Sequence, residues 1–454
     1  MRVCLILNIL LLCFNLTLYG TSNGFIENII ESIDVKKTSI RVIPNNYFKK
    51  RFLKDDFFIE YMEQDINLKK LDFSIISLPF ILNIISAIWI SGEQYYIYSM
   101  DIVLFESLKR IKEIFKILYP NTQWNGELIP IMLVKNDNKL STKNNNKIAL
   151  LFSHGVDSVF SSLKHRDKEQ ILVTAWGHYD TPLDKEEMWG ELRLQIQTYA
   201  KQFGYKHICI RSNYHGFIKF KELEKLSNEI NCWRIEAIEG LGWAGMLAPV
   251  LRAKGISKLL IGSTYTWDCL FPTIAIEPID NNIKIADLEI KHFDLNVFRT
   301  EKTAYIVNFY KNKLNKPKLF VCQNIKLNEK KNCCKCNKCI RTLIDFMLNG
   351  EEFSQFGFQI SKLVAIERIK KYFLSNLKLS NAQIWFFQEQ QKIAKESLYQ
   401  FEPMVCKLFE WFITIDFLKM YKMENVNLID WKNLAHLYPN IPQKYLVNKR
   451  ELGV

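Results

Sequence analysis

Short apolar runs alternate with amphipathic stretches between residues 147 and 349. Four of the runs are predicted as buried strands, at 148–152, 171–175, 207–211 and 258–262. A turn and a helix follow the first strand, and apolar positions recur at helical spacing over 185–203 and 240–253. This alternation predicts an α/β fold, a parallel sheet with helices on both faces. Ligands of such sheets bind at the carboxyl ends of the strands.

The residues before this region predict a small N-terminal α/β domain, at 25–140. Asp101 caps a helix with an apolar stripe, which runs to Tyr119 and stops at Pro120. The apolar stretch 73–88 has no assignable period. A polar linker, 135–147, marks the boundary to the next domain. Strands are indicated at 39–43, 57–61, 94–98 and 128–134.

The two ends of the chain differ in character. Residues 350–454 predict a helical C-terminal region, with helices at 368–377, 384–398 and 404–421. Residues 1–24 form an apolar leader whose core, 3–19, is typical of a signal sequence, a membrane anchor or a mis-set start. We predict a cytoplasmic protein, with tethering to a membrane through 3–19 as the alternative.

Composition and charge change this picture only a little. The 454 residues are 48% hydrophobic and 24% charged, which excludes a disordered, collagen-like or coiled-coil chain. The net charge is +13, but the abundance of Lys, Asn and Ile is what AT-rich coding produces, so the charge says little about partners. Most of the excess lies between residues 310 and 345, which form either a solvated loop or a surface for a polyanion.

The eleven cysteines indicate a reducing compartment and a metal site. Six are scattered, mostly among apolar residues, which does not fit a disulfide framework. Four others, with two CxxC steps, offer a closed tetrahedral set of thiolates for structural Zn²⁺: Cys322, Cys333, Cys336 and Cys339. An iron–sulfur cluster and a chance grouping of thiols are the alternatives. Cys334 is either a bystander or a replacement for Cys333.

A small polar turn, Ser153-His154-Gly155-Val156-Asp157-Ser158, joins the first buried strand to a helix. The backbone N–H groups of such a turn and the helix N-terminus form an anion site. The hydroxyls of Ser153 and Ser158 can donate to phosphate oxygens, and Asp157 is suited to hold Mg²⁺. The turn therefore predicts a phosphate site, although ordinary strand–turn–helix connections look much the same.

This turn resembles the SGGxDS signature of the PP-loop ATP pyrophosphatases, which cleave ATP between its α- and β-phosphates to adenylate a substrate. Every position matches except His154, which stands where the family has its first glycine. Glycine at that position lets the backbone approach the pyrophosphate. The histidine therefore either crowds the phosphates and impairs ATP turnover or adds a donor to them.

The turn and the cysteine cluster together resemble the 7-cyano-7-deazaguanine synthase (QueC-like) subgroup over residues 147–349, with a zinc knuckle at 322–339. The resemblance implies a PP-loop domain of the HUP class that binds ATP, Mg²⁺ and Zn²⁺. It places Trp176 and Gly177 near the adenosine, and Lys302 at the phosphates or the carboxylate, unless Lys302 is a surface lysine. Asp268 would recognise the substrate or cap a helix. We interpret His178 and His292 as structural histidines.

The resemblance implies an ATP-dependent ligase that activates a carboxylate or amide for attack by ammonia or an amine. Asp157 and Lys302 would be its catalytic residues. The pathway would be bacterial defence or modified-purine synthesis, and a protein, a tRNA or a second copy of the chain are partners that stay open. The alternatives are a tRNA-modifying PP-loop enzyme and a catalytically silent nucleotide-binding scaffold, which the substitution at His154 favours.

Overall fold

Strands from two of the predicted regions join one nine-stranded sheet in the computed structural model. The structure describes residues 27–136, 146–324, 332–375, 379–417 and 428–446. It is a mixed α/β structure. The strands are β1 Glu27–Asn28, β2 Ile30–Val35, β3 Ser39–Pro44, β4 Phe57–Tyr61, β5 Gln94–Asp101, β6 Glu127–Val134, β7 Lys147–Leu151, β8 Glu169–Trp176, β9 Lys206–Ser212, β10 Lys258–Gly262, β11 Lys284–Ile285 and β12 Leu288–Phe293.

The helices follow the strands in the order that the sequence predicts, with additions. A π-helical turn, Arg234–Ile238, leads into α8. The α-helices are α1 Asn46–Phe52, α2 Phe73–Ile76, α3 Leu78–Ser91, α4 Ile102–Leu118, α5 Val156–Lys164, α6 Glu186–Phe203, α7 Phe220–Glu224, α8 Glu239–Ala253, α9 Glu277–Asp280, α10 Arg299–Tyr310, α11 Asn337–Leu348, α12 Lys362–Ser375, α13 Asn381–Glu396, α14 Pro403–Phe412 and α15 Trp431–Leu434.

The large sheet has the order β11-β12-β10-β7-β8-β9-β4-β3-β2. Its five central strands, from β12 to β9, are parallel, as predicted. The chain runs outward from β7 through β8 to β9 and then returns to β10 on the other side of β7. The strand order therefore reverses between β7 and β10, and a crevice opens there beyond the carboxyl ends of the strands.

Hydrophobic cores lie on both faces of the sheet. Alternate residues of β7 point in opposite directions, so that Ala149 belongs to one core and Leu150 to the other. Helix α8 packs in the first core, whereas α5, α6, α10 and α11 pack in the second. The predicted arrangement of helices on both faces is confirmed.

The region 25–140 shares its sheet with the region that follows. Strand β4 pairs antiparallel with β9, and β3 and β2 continue the sheet beyond β4. Strands β1, β5 and β6 form a separate parallel sheet. The stretch 73–88, which had no period, forms α2 and most of α3, and α3 is buried on nearly all sides against α8. A helix that is buried all round shows no apolar stripe.

The predicted cap of α4 is confirmed. Asp101 Oδ1 accepts hydrogen bonds from the N–H groups of Val103, at 3.0 Å, and Leu104, at 3.1 Å. The predicted stripe of this helix is buried: Leu104, Leu108, Ile111, Phe115 and Leu118. An N-terminal cap and one apolar face are local features, so the sequence was sufficient to predict this helix.

The C-terminal helices pack on two different parts of the protein. Helices α12, α13 and α14 extend the core that contains α5 and α11. Residues 428–446 belong instead to the opposite core, where Trp431 Nε1 donates to Trp267 O at 3.0 Å. Helix α14 ends at Phe412, and residues 418–421 of the predicted helix 404–421 lie outside the described residues, as does the leader. Within the described part of the chain, no helix has the length and apolar character to cross a membrane.

We expect the contact between α3 and α8 to tolerate no side chain at Gly245. A Cβ there would lie 2.5 Å from Leu78 O and 2.7 Å from Leu82 Cβ. Gly245→Ala should therefore lower the free energy of unfolding by about 1–3 kcal/mol. Gly190→Ala is the matched control, because a Cβ at this position of α6 would meet nothing within 4 Å and should stabilise the helix by up to about 1 kcal/mol. Urea denaturation of both variants would measure this, and equal effects would contradict the prediction.

Candidate active site

A cavity of about 310 Å³ opens where the strand order reverses. Its walls come from the turn after β7, the end of β8 and the loop after β10, and they include Ser153, Asp157, Ser158, Ala175, Gly262 and Thr264. The volume is at the lower end of the range that is typical of small-molecule sites. The position is the one at which parallel sheets bind their ligands.

The turn after β7 ends in an uncapped helix. Helix α5 begins at Val156, and no side chain among the described residues bonds to its first N–H groups as a cap. These groups have no partner inside the helix, and the N-terminus carries partial positive charge. Ser158 Oγ donates to Gly155 O at 3.2 Å, and Ser153 lines the cavity. Among the described residues, the first N–H groups of α5 therefore have no side-chain cap, and they lie beside the cavity.

The side chain of His154 lies away from the cavity. The residue has a φ of 62°, the left-handed conformation that its glycine counterpart would adopt readily and that histidine also tolerates. Its ring packs between Phe152 and Tyr199, with centroids 5.7 and 5.6 Å away. Burial lowers the pKa of His154 to about 4, so the imidazole is neutral at pH 7. In this position it neither crowds the cavity nor adds a donor to it.

Asp157 is bound by two buried cations. Its Oδ2 accepts from Arg299 Nη1 at 2.6 Å, and its Oδ1 lies 3.7 Å from Lys302 Nζ. Thr264 Oγ1 also donates to Oδ2, at 3.3 Å. Burial alone would raise the pKa of Asp157, but the charges of Arg299, Lys302 and Arg341 lower it, so the carboxylate is ionised at neutral pH. Lys302 is 1% exposed, which excludes its interpretation as a surface lysine.

Helix α11 brings three further charged residues to this region. Lys338, Arg341 and Asp345 share one face of the helix by their spacing. Asp345 lies 3.7 Å from Arg299 Nε and accepts from Thr300 Oγ1 at 2.8 Å. Burial lowers the pKa of Arg341 to about 10, so it still carries its charge. Arg299 and Arg341 were not predicted as site residues. Arg341 stands among apolar residues of α11, which is a signal for such a role, whereas Arg299 begins a polar helix and gives no such signal.

Two histidine–aspartate pairs line the other half of the cavity. His178 Nδ1 and Asp180 Oδ1 are 2.5 Å apart, and His292 Nδ1 lies 2.5 Å from Asp280 Oδ2. Both pairs contribute to the cavity wall. The Asp280 pair is sealed at 1–2% exposure, whereas His178 is 17% exposed.

The residues predicted for the adenosine and the substrate, Trp176, Gly177 and Asp268, do not line the cavity. Trp176 stacks on Trp189, with ring centroids 5.9 Å apart. Gly177 has a φ of 105°, and a Cβ there would lie 1.7 Å from Ser212 O, so this turn requires glycine. Trp176 and Gly177 thus fix the backbone directly before His178. Asp268 is exposed and accepts from Tyr445 OH at 3.2 Å.

The four predicted cysteines come together. Their sulfurs all lie within 4.8 Å of one another, and the Cys322–Cys336 and Cys333–Cys339 Sγ distances are both 3.9 Å. Tetrahedral Zn²⁺ with Zn–S bonds of about 2.3 Å requires sulfurs about 3.8 Å apart, so the cluster fits the ion. Cys334 is not part of it: it has a φ of 53°, and its Sγ donates to Asn332 O.

The surroundings of Asp157, in contrast to the cysteine cluster, do not suit the metal ion predicted there, Mg²⁺. A divalent cation on this carboxylate would face Arg299, Lys302 and Arg341. The other carboxylates of the cavity already have basic partners: Asp180 with His178, Asp280 with His292 and Glu239 with Arg234. Asp157 is paired with Arg299 and Lys302, and these cations oppose a divalent cation at the same carboxylate, so the described residues do not fit the predicted magnesium site.

Comparison with known proteins does not assign this chain to a family. Neither the models of protein families nor the curated proteins include a match to this chain. A proposal for its function therefore rests on the geometry and chemistry of the cavity and the cysteine cluster.

We expect purified protein to contain one zinc ion that depends on Cys336 but not on Cys334. Cys336→Ser removes one of the four ligands and should abolish stoichiometric zinc. Cys334→Ser, two residues away, should retain it because its sulfur lies outside the cluster. Metal analysis for zinc and iron would test this. Iron in place of zinc, or equal loss in both variants, would contradict it.

We expect stability to fall as the pH drops from about 6.5 toward 4. His154 is neutral in the folded protein down to a pKa of about 4, whereas in the unfolded chain it binds a proton near pH 6.5. The stability that neutral His154 contributes is therefore fully present above pH 6.5. Between pH 6.5 and 4 it falls by up to about 1.4 kcal/mol per pH unit. His154→Asn should reduce the slope of the unfolding free energy against pH, by the amount that corresponds to about one bound proton. Urea denaturation at several pH values gives the slope, and an unchanged value would contradict the assignment.

Proposed function

We propose that the protein is an ATP-dependent adenylating ligase. It would activate a carboxylate or amide, release pyrophosphate and join the activated group to ammonia or an amine. The observation that carries this proposal is the meeting of an uncapped helix N-terminus and a cluster of buried cations at one cavity, beyond the carboxyl ends of β7 and β10. Together these groups suit an oligophosphate better than an uncharged ligand.

The chemistry would be electrostatic. Cleavage between the α- and β-phosphates places new negative charge on the departing pyrophosphate, and fixed donors and charges that meet this charge lower the barrier. The N–H groups at the start of α5, the hydroxyls of Ser153 and Ser158 and the charge of Lys302 would meet it. These residues bind and orient the phosphates, and the described cavity needs no nucleophilic side chain for this reaction.

The other side of the cavity suits an anionic substrate. Lys338 Nζ bonds to Tyr179 OH, and the Arg234 guanidinium lies 4.0 Å from the centroid of the same ring. Arg234 is paired with Glu239, so Lys338 is the cation beside this ring that favours a planar molecule carrying a carboxylate. Zn²⁺, when bound to the four cysteines, would fix the start of α11 and so the position of Lys338.

One observation favours a second candidate, a tRNA-modifying enzyme. Lys311, Lys313 and Lys318 are exposed on the chain after α10, on the way to the cysteine cluster. An exposed basic surface of this kind suits a nucleic-acid backbone. Co-purification of tRNA and a steep loss of binding with added salt would support this candidate. The silent scaffold loses its main argument, because the His154 side chain does not enter the cavity.

The proposed activity predicts release of pyrophosphate from ATP that depends on a second substrate. A panel of carboxylates with ammonium, including 7-carboxy-7-deazaguanine, would be tested. Lys302→Met should lower the rate by about 100-fold or more, because it removes a buried charge beside the departing phosphates. Lys201→Met is the matched control, since this lysine is exposed in the last turn of α6, and it should leave the rate unchanged.

The result must be read on folded protein. Zinc content and circular dichroism of Lys302→Met should equal those of the unmodified chain. Pyrophosphate release at the same rate in both lysine variants would contradict the proposed role of Lys302. Absence of pyrophosphate with every substrate, from protein that is folded and contains zinc, would overturn the proposed activity.

A further inference from the structure

Asp157 lies between the cavity and two buried cations, Arg299 and Lys302. Asp157 lines the cavity, whereas Arg299 and Lys302 lie behind it and are only 6% and 1% exposed. The carboxylate contacts both of them, at 2.6 and 3.7 Å. A carboxylate of this protein therefore occupies the place on these cations that a phosphate oxygen would take.

The cations are held in place from the other side. Arg299 Nε lies 3.7 Å from Asp345, and its Nη2 lies 3.5 Å from Thr342 Oγ1. Lys302 Nζ donates to Ser263 O. Removal of Asp157 from its present contacts would thus leave two positioned cations facing the cavity, with Thr264 Oγ1 beside them.

We propose that Asp157 is an internal competitor for the oligophosphate site, and that Arg299 and Lys302 bind the pyrophosphate group directly, in place of a divalent cation. This inference rests on the proposed function. An entering oligophosphate carries more negative charge than one carboxylate and displaces it from the cations. When pyrophosphate leaves, Asp157 returns to Arg299 and closes the site, which favours release of the product.

The alternative is that Asp157 holds Mg²⁺, as the sequence predicts. The two roles give opposite results for Asp157→Asn. A metal ligand contributes to phosphate binding, so its loss weakens binding. A competitor opposes phosphate binding, so its neutralisation strengthens binding, and the effect needs no metal. The position of the carboxylate among three cations favours the second role.

The experiment is a calorimetric titration of the full chain with inorganic pyrophosphate, in a magnesium-free buffer without chelator and again in excess Mg²⁺. Binding should occur without Mg²⁺. Asp157→Asn should tighten it by about tenfold, and Arg299→Gln should weaken it by about tenfold or more. Asp287→Asn is the matched control, because Asp287 pairs with Arg252 outside the cavity, and it should leave the affinity unchanged. Zinc content and circular dichroism would establish that each variant is folded.

Each outcome decides between the two roles. Metal-free binding that Asp157→Asn strengthens supports the competitor. Binding that appears only with Mg²⁺ and that Asp157→Asn weakens makes Asp157 a metal ligand; it overturns this inference and leaves the adenylating function standing. Failure of the folded, zinc-containing chain to bind pyrophosphate in either buffer overturns both. The unmodified chain alone tests the metal dependence, so the comparison does not rely on the variants.

Discussion

The salt bridge between Asp157 and Arg299 is the interaction on which the candidate site depends. It joins the first turn of α5 to the start of α10, and Arg299 continues the contact to Asp345 on α11. These groups lie in the protein interior, where loss of one partner leaves an uncompensated charge at a typical cost of about 3–5 kcal/mol. The position of the turn after β7 relative to two helices is therefore set by charge as well as by packing.

The cysteine cluster extends the same constraint. Cys336 directly precedes α11 and Cys339 lies in its first turn, so an ion bound to the four sulfurs would fix where this helix begins. The helix then carries Lys338 to the cavity and Arg341 and Asp345 to the buried charges. The cysteine cluster and the candidate site are thus connected by one short helix.

The flanking regions belong to the architecture of the site. Strand β4 covers the edge of the parallel sheet at β9, and α3 packs against α8, which borders the cavity. From the C-terminal side, Gln390 donates to Asp345 at 2.6 Å and Phe386 lies under the guanidinium of Arg341. These contacts satisfy and cover charges that would otherwise be buried without partners.

The sequence alone determined the parallel strands, the cap of α4, the strand–turn–helix connection that contains Asp157 and the four-cysteine cluster, because each depends on spacing within a short segment. Only the tertiary structure decided the rest. Helix α10 shows no apolar stripe, because Arg299 and Lys302 occupy its buried face. Arg299 and Asp157 are 142 residues apart, and the direction of the His154 ring depends on Tyr199 of α6. Charges are buried only where distant partners meet them, and no local pattern encodes that meeting.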